Sequence, residues 1–309
     1  MNETKYDLVI IGAASAGLTA GIYAGRKKMN TVILSKEVGG QAILTDTIEN
    51  FPGFDSISGK ELAARERAQA EKFGAEIREG VEVEAVEADG GGFSVKTKGG
   101  DSIGAKSVII ATGKNPRRLG VPGEKEFENK GVSFCSICDA PLYGGKDVAV
   151  VGGGNSGLES AADLTKYAEK VYVLEFGGRI MGDELTKEKL EKTGKVEFIT
   201  DAEVMEIKGD ALVEKIIYKD KKTDAVKELS VGGVFVNVGW VPATGFLKDF
   251  VKLNEKGEVV IDHRTTETSV KGVYAAGDVS DIKYKQCVIA AAEGAKAALS
   301  AYERLEKEN

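Results

Sequence analysis

The sequence predicts an α/β fold of two Rossmann-like domains, the second inserted within the first. Three observations predict it. A strand, a glycine-rich turn, a helix and a second strand open the chain, and the same succession recurs mid-chain. The 309 residues exceed one ordinary core and suit two domains of roughly 100–200 residues each. Beyond the second succession, another strand ends in a polar turn before a helix, as a return into the first domain requires.

Tyr6–Ile11 is a short apolar, β-branched run of the kind buried in a parallel sheet. It leads into Gly12-Ala13-Ala14-Ser15-Ala16-Gly17, a helical stretch Leu18–Lys28 and an apolar run Thr31–Leu34, one βαβ unit. Val108–Ala111 gives another strand, closed by Thr112-Gly113. The second unit runs from strand Asp147–Val151 through Gly152-Gly153-Gly154-Asn155-Ser156-Gly157 to helix Leu158–Ala168, strand Val171–Leu174 and Glu175 at its tip. Strand Val234–Val238 follows, then Gly272–Asp278 as a strand ending in a turn, and helix Gln286–Leu299. The chain crosses between domains near Lys114–Pro116 and Val241–Thr244, where Pro116 and Pro242 disfavour continuous regular structure. The expected domains are therefore 1–115 with 242–309, and 116–241.

Composition narrows the function. With 42% hydrophobic and 29% charged residues the chain reads as water-soluble and globular. No apolar run reaches the roughly 18 residues of a spanning helix, and Met1–Asp7 carries no signal-peptide pattern. A net charge of −7 argues against nucleic acid, which calls for a basic footprint. Three cysteines, two of them spaced C-x-x-C, suit a reducing cytoplasm rather than a secreted disulfide framework.

In a G-x-G-x-x-G turn the first glycine allows the bend, the second lets backbone approach a pyrophosphate, and the third lets helix pack on strand. The mid-chain turn is complete in Gly152, Gly154 and Gly157, with Glu175 at the distance where a carboxylate accepts both ribose hydroxyls. An acid there repels a 2′-phosphate and favours NADH over NADPH. The first turn is imperfect: Ala14 stands at the middle position, and its methyl group would crowd a phosphate. Ser35 ends the following strand, and Glu37 reaches a ribose only if the chain bends suitably.

A C-x-x-C pair is a redox dithiol, half a zinc site or two buried thiols. Zinc needs two further ligands, for which the chain offers only Cys287 and its sole histidine, His263. Cys135-Ser136-Ile137-Cys138-Asp139 sets a carboxyl beside the second thiol, apt for disulfide exchange, which needs a proton for the leaving thiolate. Asp139 is the candidate acid/base, or else a turn carboxylate.

Taken together these segments resemble the low-molecular-weight thioredoxin reductases and the reductase portion of the alkyl hydroperoxide reductase flavoprotein, over nearly the whole chain. The resemblance rests on the glycine-rich start, Gly39-Gly40-Gln41, Glu49-Asn50-Phe51-Pro52-Gly53, Ala111-Thr112-Gly113, Cys135–Asp139, Gly152–Gly157, and Gly277-Asp278 with Tyr284-Lys285-Gln286. It implies an FAD/NAD(P)-binding fold whose first and last segments hold FAD. The implied FAD residues are Gly12, Ala14, Ser15, Ala16, Gly17, Ser35, Gly39, Gly40, Gln41, Asn50, Val83, Ala111, Thr112, Gly113, Gly277, Asp278, Lys285, Gln286 and Cys287. Those implied for the nicotinamide nucleotide are Gly152, Gly154, Asn155, Ser156, Gly157, Glu175 and Gly239. The resemblance further implies that hydride reduces FAD, that flavin reduces Cys135–Cys138, that Cys138 opens exchange with a substrate disulfide and that Cys135 resolves it. It implies a homodimer and an inserted domain that rotates about its two crossings.

The departures are informative. NADPH-using members carry a His-Arg-Arg run where this chain has Glu175-Phe176-Gly177-Gly178-Arg179, and Pro141–Glu184 is similar to the NADH-favouring alkyl hydroperoxide reductase flavoprotein. That protein has an added redoxin-like domain; this chain begins at the FAD strand, so its acceptor is expected to be a separate thioredoxin- or glutaredoxin-like protein. Ala140 replaces a usual glycine. Alternatives are a ferredoxin-dependent reductase with a vestigial nicotinamide site, a flavin NADH oxidase, and a non-enzymatic nucleotide-binding regulator. Cys287 reads as a small buried hydrophobe, His263 as a surface loop residue, Trp240 as hinge packing, Lys187–Lys195 as a solvated helix face, and Arg304–Asn309 as a frayed helix end.

Overall fold

The computed structural model describes residues 6–45, 47–247 and 249–308. Residues 1–5, on which the reading of the N-terminal leader rests, lie outside them. The chain divides into two compact units: residues up to Asn115 together with Val241 onward, and Pro116–Trp240.

The first unit is built on β1 (Tyr6–Ala13), α1 (Ser15–Arg26), β2 (Thr31–Val38), α2 (Gly59–Lys72), β3 (Glu76–Glu79), β4 (Val83–Asp89), β5 (Gly92–Thr97) and β6 (Ser102–Ile110), and leaves through β7 (Lys114–Pro116). Strands β3, β2, β1 and β6 run parallel, and β5 and β4 extend the sheet antiparallel. The β1 sequence is apolar at successive positions because both its faces are covered. Val9 and Ile11 join one core with Val32, Leu34, Val108 and Ile110, whereas Leu8 and Ile10 join another with Ile33 and Ile109. The second of these cores lies under α1 and the C-terminal helix.

The second unit comprises β8 (Val132–Ser133), α3 (Ser136–Asp139), β9 (Asp147–Val151), α4 (Asn155–Thr165), β10 (Lys170–Leu174), α5 (Glu184–Lys192), β11 (Val196–Ile199), β12 (Ala202–Gly209), β13 (Val213–Asp220), β14 (Ala225–Ser230) and β15 (Gly233–Val236). Its parallel sheet has the order β11-β10-β9-β15-β8, beside a separate antiparallel sheet β12-β13-β14. Val148, Val150 and Phe235 pack with Leu158 and Leu164 of α4; Ala149, Val151 and Val234 pack with Ile207, Ile216 and Tyr218 of the antiparallel sheet. The chain then passes β16 (Trp240–Pro242) and rejoins the first sheet through β17 (Val273–Ala275), which pairs with the C-terminal half of β6, before ending in α6 (Cys287–Glu308).

Four sequence expectations need correction. The crossings are strands, not breaks: β7 and β16 pair in a two-stranded sheet, and Pro116 and Pro242 stand at strand ends, where a missing N–H costs no ladder bond. Both first helices start nearer their glycine turns than periodicity indicated, at Ser15 and Asn155. The antiparallel hairpins were not anticipated: β5 is largely buried and β12 and β13 each bury part of one face, but charged residues interrupt the apolar alternation of β4, β12 and β13, and β14 is exposed. The α6 end is anchored: Arg304 donates to the Lys106 carbonyl and the Ser107 hydroxyl and pairs with Glu308 at 3.0 Å. Among the described residues no helix is long and apolar enough to cross a membrane.

Candidate active site

Cys135 and Cys138 are joined as a disulfide. Cys135 caps the short α3: its sulfur accepts the Cys138 N–H at 3.1 Å, and its own N–H donates to the Ser133 hydroxyl at 3.0 Å. Cys138 is exposed, Cys135 and Asp139 are half-buried. A reduced Cys135 would thus keep an N–H donor for its thiolate, while Cys138 is the more exposed residue of the pair. Ser136 donates to the Asp163 carboxylate at 3.1 Å, tying the redox turn to α4. Ala140 has an ordinary φ of −51° and its methyl is buried with Tyr143, Leu158 and Phe235, so the backbone requires no glycine there and the methyl fills core.

The two glycine turns repeat one geometry. Gly12 and Gly152 have φ of +109° and +114°, a region side chains rarely adopt. Gly17 and Gly157 allow helix to lie against strand, because a methyl on either would sit 1.8 or 1.9 Å from the carbonyl oxygen of Gly12 or Gly152. Gly154 differs in kind. Its backbone is ordinary (φ −83°, ψ −177°) and an added methyl would meet no protein atom. Its bareness leaves space for something outside the protein. Ala14 has nearly the same backbone (φ −104°, ψ −171°) and carries the methyl, which faces Gly40.

A cavity of about 750 Å³ opens in the first unit at this turn. Of the residues implied for FAD, Gly12, Ala14, Ser15, Ala16, Ser35, Gly40, Gln41, Val83, Ala111, Thr112, Gly113, Gly277, Asp278, Lys285, Gln286 and Cys287 line it. Gly17, Gly39 and Asn50 do not. Gly17 is buried against the Gly12 carbonyl, Gly39 turns the chain at φ +99° while donating to the Ala13 carbonyl, and Asn50 stands behind Gln286, donating to its amide oxygen at 3.2 Å. The Ser35 hydroxyl is already engaged by Ala13 N–H and the Glu37 carbonyl, whereas Glu37 itself lines the cavity. The chain does bend there, through an irregularity in the β1–β2 register. Burial raises the Asp278 carboxyl, opposed by Lys285 and Lys114. Cys287 also lines this cavity and is not a simple core residue; burial pushes its thiol up, helped by the charges of Glu66 and Asp278.

Sequence reasoning missed two features. Glu258, nearly buried, holds Lys285 at 3.1 Å and Lys114 at 3.4 Å at the cavity wall. Glu66, buried on α2, accepts the Ser15 hydroxyl at 3.0 Å. Neither lies in a motif. Only the tertiary fold brings Glu66 to the turn and Glu258 to the two lysines.

A second cavity of about 650 Å³ lies in the second unit, lined by Gly152, Gly154, Asn155, Ser156, Glu175 and Gly239, with Gly153, Phe176, Glu203, Asn237 and an apolar wall of Leu119, Val121 and Val204. Gly157 lies below it. The Glu175 oxygens accept the Gly153 and Gly177 N–H groups, each at 2.7 Å, which fixes the carboxylate at the strand tip with lone pairs to spare. No lysine or arginine is among the described lining residues; Arg179 points its guanidinium at the Met181 sulfur.

Paired glycine turns, each with a cavity, and a C-x-x-C disulfide define a dinucleotide-dependent disulfide oxidoreductase. Residues 6–294 match the pyridine nucleotide-disulphide oxidoreductase family, and the chain belongs to it. Membership implies FAD and a pyridine nucleotide as cofactors. Among its relatives, the F component of alkyl hydroperoxide reductase from Pseudomonas putida is 40% identical over 306 residues, covering 98% of this chain and 59% of that one. The chain therefore spans about three-fifths of such relatives. Thioredoxin reductase of T. acidophilum superposes with a TM-score of 0.86 at 42% identity, covering 98% of this chain and all of that one. The Lactococcus lactis thioredoxin reductase does so with a TM-score of 0.88 at 36% identity over the same 98% and 100%.

Both cavities fit such groups. The bare backbone at Gly154 and the open helix end at Asn155 and Ser156 suit a pyrophosphate, and the first turn offers the same with a methyl less room.

Proposed function

We propose that this chain is an FAD-dependent thioredoxin-disulfide reductase, in which the first unit holds FAD and the second holds NADH and the redox disulfide. The observation that carries the reading is the Cys135–Cys138 disulfide, exposed at Cys138, in the same unit as a nucleotide cavity carrying Glu175. When bound, FAD supplies two-electron transfer between a nicotinamide hydride and a disulfide. The protein's own residues handle the exchange. The reduced Cys138 thiolate attacks one sulfur of the redoxin disulfide, expelling the other as a thiolate, and in this reading Asp139 delivers the proton it takes up. The Cys135 thiolate then attacks Cys138, reforming the disulfide and releasing the second redoxin thiolate. The Cys138 N–H already directed at the Cys135 sulfur supports this division of roles.

The preference for NADH rests on charge. A 2′-phosphate in the second cavity would meet the carboxylates of Glu175 and Glu203 with no lining cation to offset them. The proposed partner is a thioredoxin- or glutaredoxin-like protein, and the proposed assembly in the cytoplasm is a homodimer, whose size sedimentation checks. Anaerobic titration of the flavoprotein tests the whole reading. NADH should bleach the flavin at lower concentration than NADPH, and added oxidised thioredoxin should restore the colour. Bleaching by reduced ferredoxin alone would overturn the donor assignment.

A further inference from the structure

Four glutamates are buried among the described residues, and three are matched to their surroundings. Glu124 accepts the Leu119 and Gly120 N–H groups, Glu258 faces two lysines, and Glu293, though one of its oxygens is also unpartnered, pairs with the Lys296 cation. Glu66 has none of this. One oxygen accepts the Ser15 hydroxyl at 3.0 Å, and the other is buried without a hydrogen-bond partner. An ionised carboxylate so placed lacks the compensation that buried charges require.

Its position gives the oddity a consequence. Ser15 is the first residue of α1, and the turn from Gly12 to Ala16 lines the first cavity, so the free N–H groups of the first helical turn open toward it. That end of a helix favours one anion. Glu66 sits directly behind Ser15, on the protein side of the place where a dinucleotide diphosphate would bind.

We propose that Glu66 must be neutral for FAD to bind, so that the chain takes up one proton with the cofactor. The inference rests on the reading of the first cavity as the FAD site. Two negative groups on either side of Ser15 repel each other across a buried, low-dielectric region. A neutral Glu66 can still accept the Ser15 hydroxyl and puts no charge behind the diphosphate.

The surroundings allow this titration near neutrality. Burial raises the Glu66 carboxyl to about 7, against a lowering by the Ser15 hydrogen bond. Ser15 of α1 and Cys287 of α6 face it, and Asp278 acts on the same thiol; the 3-10 turn Gly40–Leu44 contributes no titratable side chain. On α2 itself Glu61 pairs with Arg65, and Arg67 with Glu71. The Cys287 thiol is raised by burial and stays neutral across this range. The sign follows: bound diphosphate raises the Glu66 carboxyl further, so affinity is flat below about pH 7 and falls as pH rises between the free and bound values, by up to about tenfold per pH unit.

The experiment is FAD binding to the full-length apoprotein, followed by flavin fluorescence between about pH 6 and pH 9, with proton uptake measured by calorimetry in buffers of different ionisation enthalpy. The unmodified chain should lose at least about tenfold in affinity across this range and take up close to one proton near about pH 8 and almost none near about pH 6, whereas Glu66→Gln should vary by less than about twofold. Glu66→Met provides a second neutral variant should the glutamine protein fold poorly, with circular dichroism as the check on both. An equal slope in the neutral variants, or no slope in the parent, overturns the role of Glu66 while leaving the FAD site intact. Failure of the parent to bind FAD at any pH overturns the site reading as well.

Discussion

Cys138 is exposed and the next residue, Asp139, half-buried, and their substitution should separate two half-reactions. Cys138→Ser should abolish thioredoxin reduction while NADH still bleaches the flavin, seen by stopped-flow absorbance. Asp139→Asn should slow only the thioredoxin half-reaction, by about 10²–10⁴-fold, the usual worth of a positioned acid. On the proposed reading Glu175 sets the choice of donor. Removing its charge in Glu175→Gln should weaken NADH, since a ribose acceptor is lost, and narrow the NADH-to-NADPH ratio of kcat/KM by about tenfold or more. An unchanged ratio would show that discrimination arises elsewhere.

Within each βαβ element the glycines have separable roles, which substitution can tell apart. Gly157→Ala drives a methyl to 1.9 Å from the Gly152 carbonyl and should lower stability, read as a shifted denaturant midpoint. Gly154→Ala meets no protein atom, so stability should hold while nucleotide affinity falls. The same logic applies to α1 and α6, whose close packing depends on Gly294; a methyl there would lie 1.9 Å from the Ala16 carbonyl. Arg304→Ala should cost about 1–3 kcal/mol, because it removes the hydrogen bonds from α6 to Lys106 and Ser107 along with the Glu308 pair.

Across the molecule each unit has its own core, two apolar clusters on opposite faces of its main sheet. Differential scanning calorimetry of the apoprotein should therefore resolve two transitions. FAD at about a hundred times its Kd should stabilise the first unit by about 2.7 kcal/mol and leave the other transition nearly unmoved, and NADH should do the reverse. A single transition raised by either ligand would show that the units unfold as one.

The α/β class, the two βαβ units and the redox pair were legible because each is local. A buried parallel strand needs a continuous apolar run, a pyrophosphate turn needs bare backbone at fixed spacing, and a C-x-x-C turn brings its sulfurs together by itself. The account of Ala140 was not legible, since whether a methyl fits depends on Tyr143, Leu158 and Phe235 across the core. Nor were the hairpins β4–β5 and β12–β14, where charged residues interrupt the alternation although Val95 of β5 and Ile216 of β13 are core residues. Asn50 belonged to a readable motif, yet it stands behind Gln286 rather than on the cavity wall. The sequence by itself determined the chemistry this protein carries. Only the tertiary structure decided the surroundings of that chemistry, which cation meets Glu258 and which carboxyl stands behind Ser15, because burial and charge at a site come from segments distant in the chain, and local pattern has no reach over them.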